Sequence, residues 1–231
     1  MGNVRTAFFI DGYNVFYGLL AGTPYKWLNL PDLLTHISQV QNPASLTVQV
    51  NYFTSPVLPR LATKGKQSAE AQDTYIRALK TKGVTVHLGK HRLERGMAPR
   101  YVKDVEPSRE DKVSIWDLEE KQTDVNIAIS MYRLLSRQLA FDNNEKIEQL
   151  ILVSADTDMT PALRAIKEDF PYITVGIILP HREGIARGTP GSLKNYSHWI
   201  RRHITIDELK KYQFPNRVPT KKKPADKPDY W

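Results

Sequence analysis

Ala7-Phe8-Phe9-Ile10-Asp11-Gly12-Tyr13-Asn14-Val15-Phe16-Tyr17 is the stretch from which the rest of the chain can be read. Ala7 to Ile10 is a continuous apolar run of strand length, the pattern of a parallel strand buried on both faces. It stops at a carboxylate, Asp11, where an apolar residue would prolong the strand. Gly12 lets the backbone turn, and Tyr13 to Leu20 reads as a helix with Asn14 in its first turn. An acid leaving a buried strand, with an amide three positions on, makes a strand-end site for a cation or a phosphate. Asp11 acting only as a helix cap is the competing account. The other carboxylates bear on the choice.

Downstream, strand and helix alternate. Pro31 opens a helix carrying Leu33, Leu34, Ile37 and Val40 at helical spacing, and Leu46 to Phe53 is a second strand. A basic loop over 54–66, with Arg60, Lys64 and Lys66, leaves the same sheet edge as Asp11. A helix from about Lys66 to Thr81 ends at Gly83, and Val84 to Leu88 is a third strand. Residues 89–120 have little regular pattern and read as an irregular basic insertion with Arg92, Arg95, Arg100 and Tyr101, at most a short hairpin. A helix over about 124–139 follows, then strand four at Gln149 to Val153 and a helix with Pro161 in its first turn. Ile173 to Leu179 is strand five, and His181 to Gly191 is a basic loop with Arg182 and Arg187. Five alternations predict a parallel sheet with helices on both faces.

The 231 residues suffice for a full core, and the 41% hydrophobic, 25% charged composition is globular. No apolar run approaches the ~20 residues of a membrane span. Met1 to Thr6 lacks a signal peptide's apolar stretch, so no membrane association and a cytoplasmic location are expected. There is no cysteine, which removes disulfides, thiolate metal sites and thiol nucleophiles. The net charge is +8, and residues 211–231 carry Lys211, Arg217, Lys221, Lys222, Lys223 and Lys227 against Asp226 and Asp229. This bias is compatible with a polyanionic partner. The Pro-rich tail over 211–231 is expected to be disordered or loosely docked beyond a domain spanning 1–210.

Acids recur at strand ends or helix starts: Asp11, Asp124, and the pair Asp156 and Asp158. Ligands of open parallel sheets bind beyond the strands' carboxyl ends, where strand order reverses. If strands one and four are central neighbours, Asp11, Asp156 and Asp158 meet there, within reach of Asp124. Clustered carboxylates raise one another's pKa, and a hard divalent ion such as Mg²⁺ or Mn²⁺ relieves that conflict. Capping accounts for one acid of the 156/158 pair but not for both. There is no phosphate-binding lysine loop, dinucleotide glycine motif, zinc-spaced His pair or nucleophile elbow. His87, His91 and His181 are expected as surface or satisfied core residues.

Phe-Ile-Asp-Gly-Tyr-Asn (9–14), Glu-Lys-Gln-Thr-Asp-Val-Asn-Ile-Ala (120–128) and Ser-Ala-Asp-Thr-Asp (154–158) together resemble the NYN domain family, which includes LabA-like proteins and belongs to the PIN-like nucleases. The resemblance covers roughly residues 5–205. It implies an α/β, three-layer, Rossmann-like fold whose central parallel sheet has about five strands, in the order 3-2-1-4-5. It also implies a nuclease with an acidic metal site for Mg²⁺ or Mn²⁺. By motif position, Asp11, Asp124, Asp156 and Asp158 take metal-ligand roles and Asn14 a positioning role. Nucleic acid, with RNA the expected kind, is the implied partner, and a homodimer stays open. Lys121, Arg92, Arg95, Arg100, Lys64 and Arg182 are the candidates to hold its backbone, with Tyr13 or Tyr101 to stack on a base. One departure is Ser130, where such proteins often carry a second Asp after the middle motif. A binding or regulatory module that cleaves nothing is the rival reading.

Overall fold

The computed structural model describes residues 2–140, 145–185 and 188–231; Arg187 lies outside them. Strand β1 (Val4–Asp11) is buried from Thr6 onward, and its flanking residues alternate between two cores. Phe8 and Ile10 face helices α2 (Leu30–Gln41) and α3 (Lys66–Thr81), while Ala7 and Phe9 face the other side. That second face is closed by α4 (Thr123–Arg137) and α5 (Thr160–Asp169) through Ile127, Met131, Leu135, Leu163 and Ile166. A strand apolar on both sides can only sit between two layers, which is why its sequence shows no alternation.

The parallel sheet adds β2 (Ser45–Thr54), β3 (Thr85–Leu88), β6 (Gln149–Val153), β7 (Thr174–Ile178) and β8 (Trp199–Arg201). It has six strands in the order β3-β2-β1-β6-β7-β8, where five in the order 3-2-1-4-5 were expected. The count and numbering differ for two reasons. A hairpin intervenes between β3 and β6, and β8, only three residues long, extends the sheet beside β7. β1 lies between β2 and β6, so connections leave it on opposite sides and open a crevice at its carboxyl end. Among the described residues no helix is long and apolar enough to cross a membrane.

Residues 89–120 form a hairpin, as the sequence allowed, but a long and regular one in place of the irregular segment expected. β4 (Lys90–Pro99) and β5 (Lys112–Lys121) form an antiparallel hairpin, paired from Lys90 with Lys121 to Pro99 with Lys112. Nor is the segment basic, because its seven Lys and Arg are met by eight Asp and Glu. Its base is pinned at Gly89, where a Cβ would stand 2.6 Å from Ser55 Oγ and 3.0 Å from the Lys121 carbonyl. Gln122 then takes a left-handed conformation, φ 76°, to swing the chain from β5 into α4.

The tail is a second correction. Beyond α7 (Ile206–Lys211) the chain lies along the α3 side of the core, burying Phe214, Val218 and Ala225 and pairing β9 (Arg217–Val218) with β10 (Ala225–Asp226). Trp231 ends edge-on to Trp27 and Tyr75, with ring centroids 6.1 and 5.9 Å away.

At the start of α1 (Gly12–Val15) the backbone has no room for a side chain. A Cβ on Gly12 would lie 2.7 Å from the Phe53 carbonyl and from the Tyr52 hydroxyl. Gly12→Ala should therefore destabilise the protein by about 1–3 kcal/mol. A urea-unfolding midpoint equal to wild type would contradict that close packing.

Candidate metal centre

Three elements converge on the carboxyl end of β1. Asp11 is the last residue of β1 and the N-cap of α1, its Oδ1 accepting the Asn14 backbone N–H at 2.9 Å. The cap reading of Asp11 is therefore true, and it is not the whole account. Its Oδ2 accepts the Ser154 hydroxyl at 3.1 Å from the turn after β6. The Asn14 side chain reaches the same turn and accepts the Ala155 N–H at 3.1 Å. Ser154 Oγ in turn accepts the Asp156 N–H at 3.0 Å. Asp124 arrives from the first turn of α4. Asp11, Asp124 and Asp156 each offer a carboxylate oxygen, and these three atoms lie within 4.8 Å of one another.

Among the described residues no Lys or Arg forms an ion pair with any of the three. The electrostatics follow. Asp11 is 5% exposed, and burial pushes its carboxyl from 3.8 up to about 6, against the two hydrogen bonds it accepts and with a further push from Asp124 and Glu120. Asp124 is also raised, by burial first and then by Asp156, Glu120 and Asp158. An all-carboxylate, uncompensated set of hard oxygens fits a divalent cation such as Mg²⁺ or Mn²⁺.

Asp158 stands outside the trio. It is exposed, and its backbone N–H donates to Asp156 Oδ1 at 2.9 Å in a short 3₁₀ turn over Thr157–Met159. Asp156 thus does the capping expected of the pair, and both residues share the turn without sharing the site. Ser130 lies lower on α4, beside a cleft against β2 and β3. Two further participants carry no obvious mark in the sequence. Ser154 opens the third motif and holds both Asp11 and the turn, so its place beside the acids is the available signal. Glu120 accepts the Thr123 hydroxyl at 2.6 Å and adds negative charge near Asp11. Its signal is its place at the head of the second motif, near the end of the exposed strand β5.

The candidate backbone-holding cations are mostly engaged. Arg92 pairs with Glu94, Arg100 with Asp111 at 3.0 Å, and Lys121 with Glu119 at 2.5 Å. The Arg95 guanidinium lies 5.6 Å from the centroid of Trp116, and Lys64 lies 5.1 Å from that of Tyr230. Arg182 reaches the Ala21 carbonyl at 3.5 Å. None joins the acid trio. Tyr13 donates to the Ser55 carbonyl at 3.0 Å and stacks on Tyr17, and burial raises its phenol well above the ordinary range. Tyr101 is 88% exposed.

The sequence model of the NYN domain matches residues 5–200 of this chain. The chain is 32% identical to 6-hydroxy-3-succinoylpyridine 3-monooxygenase HspA of Pseudomonas putida (strain DSM 28022 / S16), over 99% of its own length and 75% of that protein's. Its fold is similar to the crystal structure of VPA0982, a protein of unknown function from Vibrio parahaemolyticus RIMD 2210633. The TM-score is 0.50 at 15% identity, over 92% of this chain and 97% of that one.

Proposed function

Because this chain belongs to the NYN domain family, within the PIN-like nucleases, we propose that it hydrolyses phosphodiester bonds of nucleic acid, RNA in preference, with Mg²⁺ or Mn²⁺. The observation that carries this reading is the convergence of Asp11, Asp124 and Asp156 without a countercharge. These three would hold the ion, with Asp158 at the rim of the same crevice and Asn14 in a positioning role. The bound ion would supply charge stabilisation to the phosphate and a more acidic water. The chain's own residues prepare the place. Ser154 and the Asn14 N–H fix both oxygens of Asp11, and Asn14 Oδ1 ties α1 to the 154–158 turn, so the acids from β1 and β6 keep one geometry. Such preorganisation is what lets carboxylates hold an ion without rearranging.

A second reading, oxidation of a small heteroaromatic acid, is favoured by the likeness to the Pseudomonas monooxygenase along nearly the whole chain. One experiment separates the two. The protein is incubated with single-stranded and duplex RNA and DNA, with Mn²⁺ or with EDTA. In parallel it receives 6-hydroxy-3-succinoylpyridine with dioxygen and a reduced nicotinamide cofactor. Mn²⁺-dependent cleavage supports the nuclease; substrate hydroxylation with intact nucleic acid supports the other reading.

For the nuclease, the hairpin makes a quantitative prediction. Removing one cation that neutralises a phosphate of a single strand flattens the salt dependence of binding by about 0.7 in log–log slope. Arg92 and Arg100 already serve Glu94 and Asp111. The Arg92→Gln, Arg95→Gln, Arg100→Gln triple variant should therefore flatten the slope by about 0.7, not by about 2. Fluorescence anisotropy of a labelled strand across a salt series measures it, and a change near 2 would show that all three arginines leave their partners for phosphate.

A further inference from the structure

Helix α4 lies over β1 and part of β2 but leaves an opening toward the β2–β3 edge on its side of the sheet. A cleft of about 470 Å³ remains there, a volume usual for a small-molecule site. Its floor is polar where a sheet face beneath a helix is normally apolar. Asn51, 2% exposed, donates through Nδ2 to the Phe8 carbonyl at 3.2 Å, and its Oδ1 accepts Gln49 Nε2 at 3.1 Å. The same Oδ1 lies 3.2 Å from His87 Nε2. An amide oxygen only accepts, so His87 carries its proton on Nε2 and leaves Nδ1 as an acceptor. Burial disfavours the charged imidazolium and lowers the ring's pKa.

The His87 ring lies flat on Phe53, with centroids 4.4 Å apart and an interplanar angle of 10°, and is thereby fixed as a platform. Leu88 and Ile129, 55% and 49% exposed, form apolar lips. Further along α4, Arg133 and Arg137 line the same cleft one turn apart. Among the described residues neither side chain forms an ion pair or hydrogen bond, so two guanidinium groups are available to an anion.

We infer that this cleft binds a planar heteroaromatic ring carrying an anionic group, the ring over His87 and the anion at Arg133 and Arg137. A ring N–H or hydroxyl would donate to His87 Nδ1. A nucleotide and a heteroaromatic carboxylic acid share this chemistry. The site uses none of the acid trio and stands whether or not the protein cleaves phosphodiesters.

Isothermal titration of the full chain in EDTA, with uridine and adenosine 5′-monophosphates in one arm and pyridine-3-carboxylate in the other, tests it. At least one arm should saturate with Kd below about 1 mM, and which arm does so identifies the source of the ligand. Arg133→Gln with Arg137→Gln, both on the outer part of α4, should weaken that binding at least tenfold. His87→Gln should weaken it too, while Asp11→Asn leaves it unchanged. No saturation in either arm at several millimolar overturns the inference. So does binding that ignores both arginines, or binding lost with Asp11→Asn, which would move the ligand to the acids.

Discussion

The Asp11→Asn protein should melt higher than wild type without metal, and lose its cleavage activity by orders of magnitude. Both effects come from one buried charge. Asp11 is 5% exposed and its carboxyl is raised from 3.8 to about 6. An acid raised on folding stabilises the fold while it is protonated in both states, below about pH 4. That contribution is lost as pH rises through about 6. At pH 8 the ionised group weighs on the fold by about 3 kcal/mol. Asparagine removes the charge and still caps α1. It must re-pair with Ser154, at a cost of about 1 kcal/mol. The net gain of about 2 kcal/mol is roughly 4–8 °C in a chain of this length. Melts of both proteins in EDTA at pH 4, 6 and 8 should show the gap opening with pH. A variant that melts lower at pH 8 would mean Asp11 is held by its hydrogen bonds more than it is strained by its charge. In the nuclease assay the variant lacks one of three carboxylates expected to hold the ion, so its rate should fall at least about a hundredfold.

Removing residues 213–231 should leave a chain that does not fold stably. Trp27 is fully buried, and the tail helps to bury it: its Nε1 donates to the Pro215 carbonyl at 2.8 Å. Phe214 packs 5.7 Å from it and 6.5 Å from Tyr75, and donates its N–H to the Trp27 carbonyl at 2.9 Å. Arg77 holds the Lys223 and Pro224 carbonyls at 2.7 and 3.0 Å. Phe214→Ala alone should cost about 3–5 kcal/mol. Whole-domain stability is about 5–15 kcal/mol, so removal of the entire segment exceeds what the fold can lose. Phe214→Ala should show a urea midpoint well below wild type, and the truncated chain should be recovered only in inclusion bodies. A soluble truncation with the wild-type melting temperature would show the tail to be a passenger.

The contrast between these two regions shows what a sequence makes visible. β1 and β6 are legible because both faces are buried over residues 7–10 and 150–153, and those residues are all apolar. The tail hides its anchors: Phe214, Val218, Ala225 and Trp231 follow no period among prolines and lysines, and pack by position, not by pattern. The length of the hairpin escapes notice for the opposite reason. Neither strand buries a residue fully: β4 alternates only between exposed and half-buried positions, and β5 is exposed at all but Val113, so no apolar alternation is imposed on the sequence. The acids at strand ends stand out because a carboxylate there interrupts an apolar run. Glu120 interrupts no apolar run, Ser154 ends one without a charge, and only the folded chain shows which way they face. Spacing alone also cannot separate Asp156 from Asp158, since two residues of one tight turn look alike in sequence while only Asp156 joins the trio.

Asp11 begins a helix and faces the crevice with the same two oxygens, which constrains how descendants of this chain can decay. A lineage that gives up the chemistry cannot replace this aspartate freely, because most side chains would leave the first turn of α1 without its acceptor. The tolerated replacements are the short polar ones that still cap: asparagine, serine and threonine. Retired copies of the fold should therefore accumulate those three at this position, while Asp124, which starts its helix without capping it, drifts to almost anything. The residue at position 11 would then record loss of function as a narrow choice, and the residue at position 124 as a scatter.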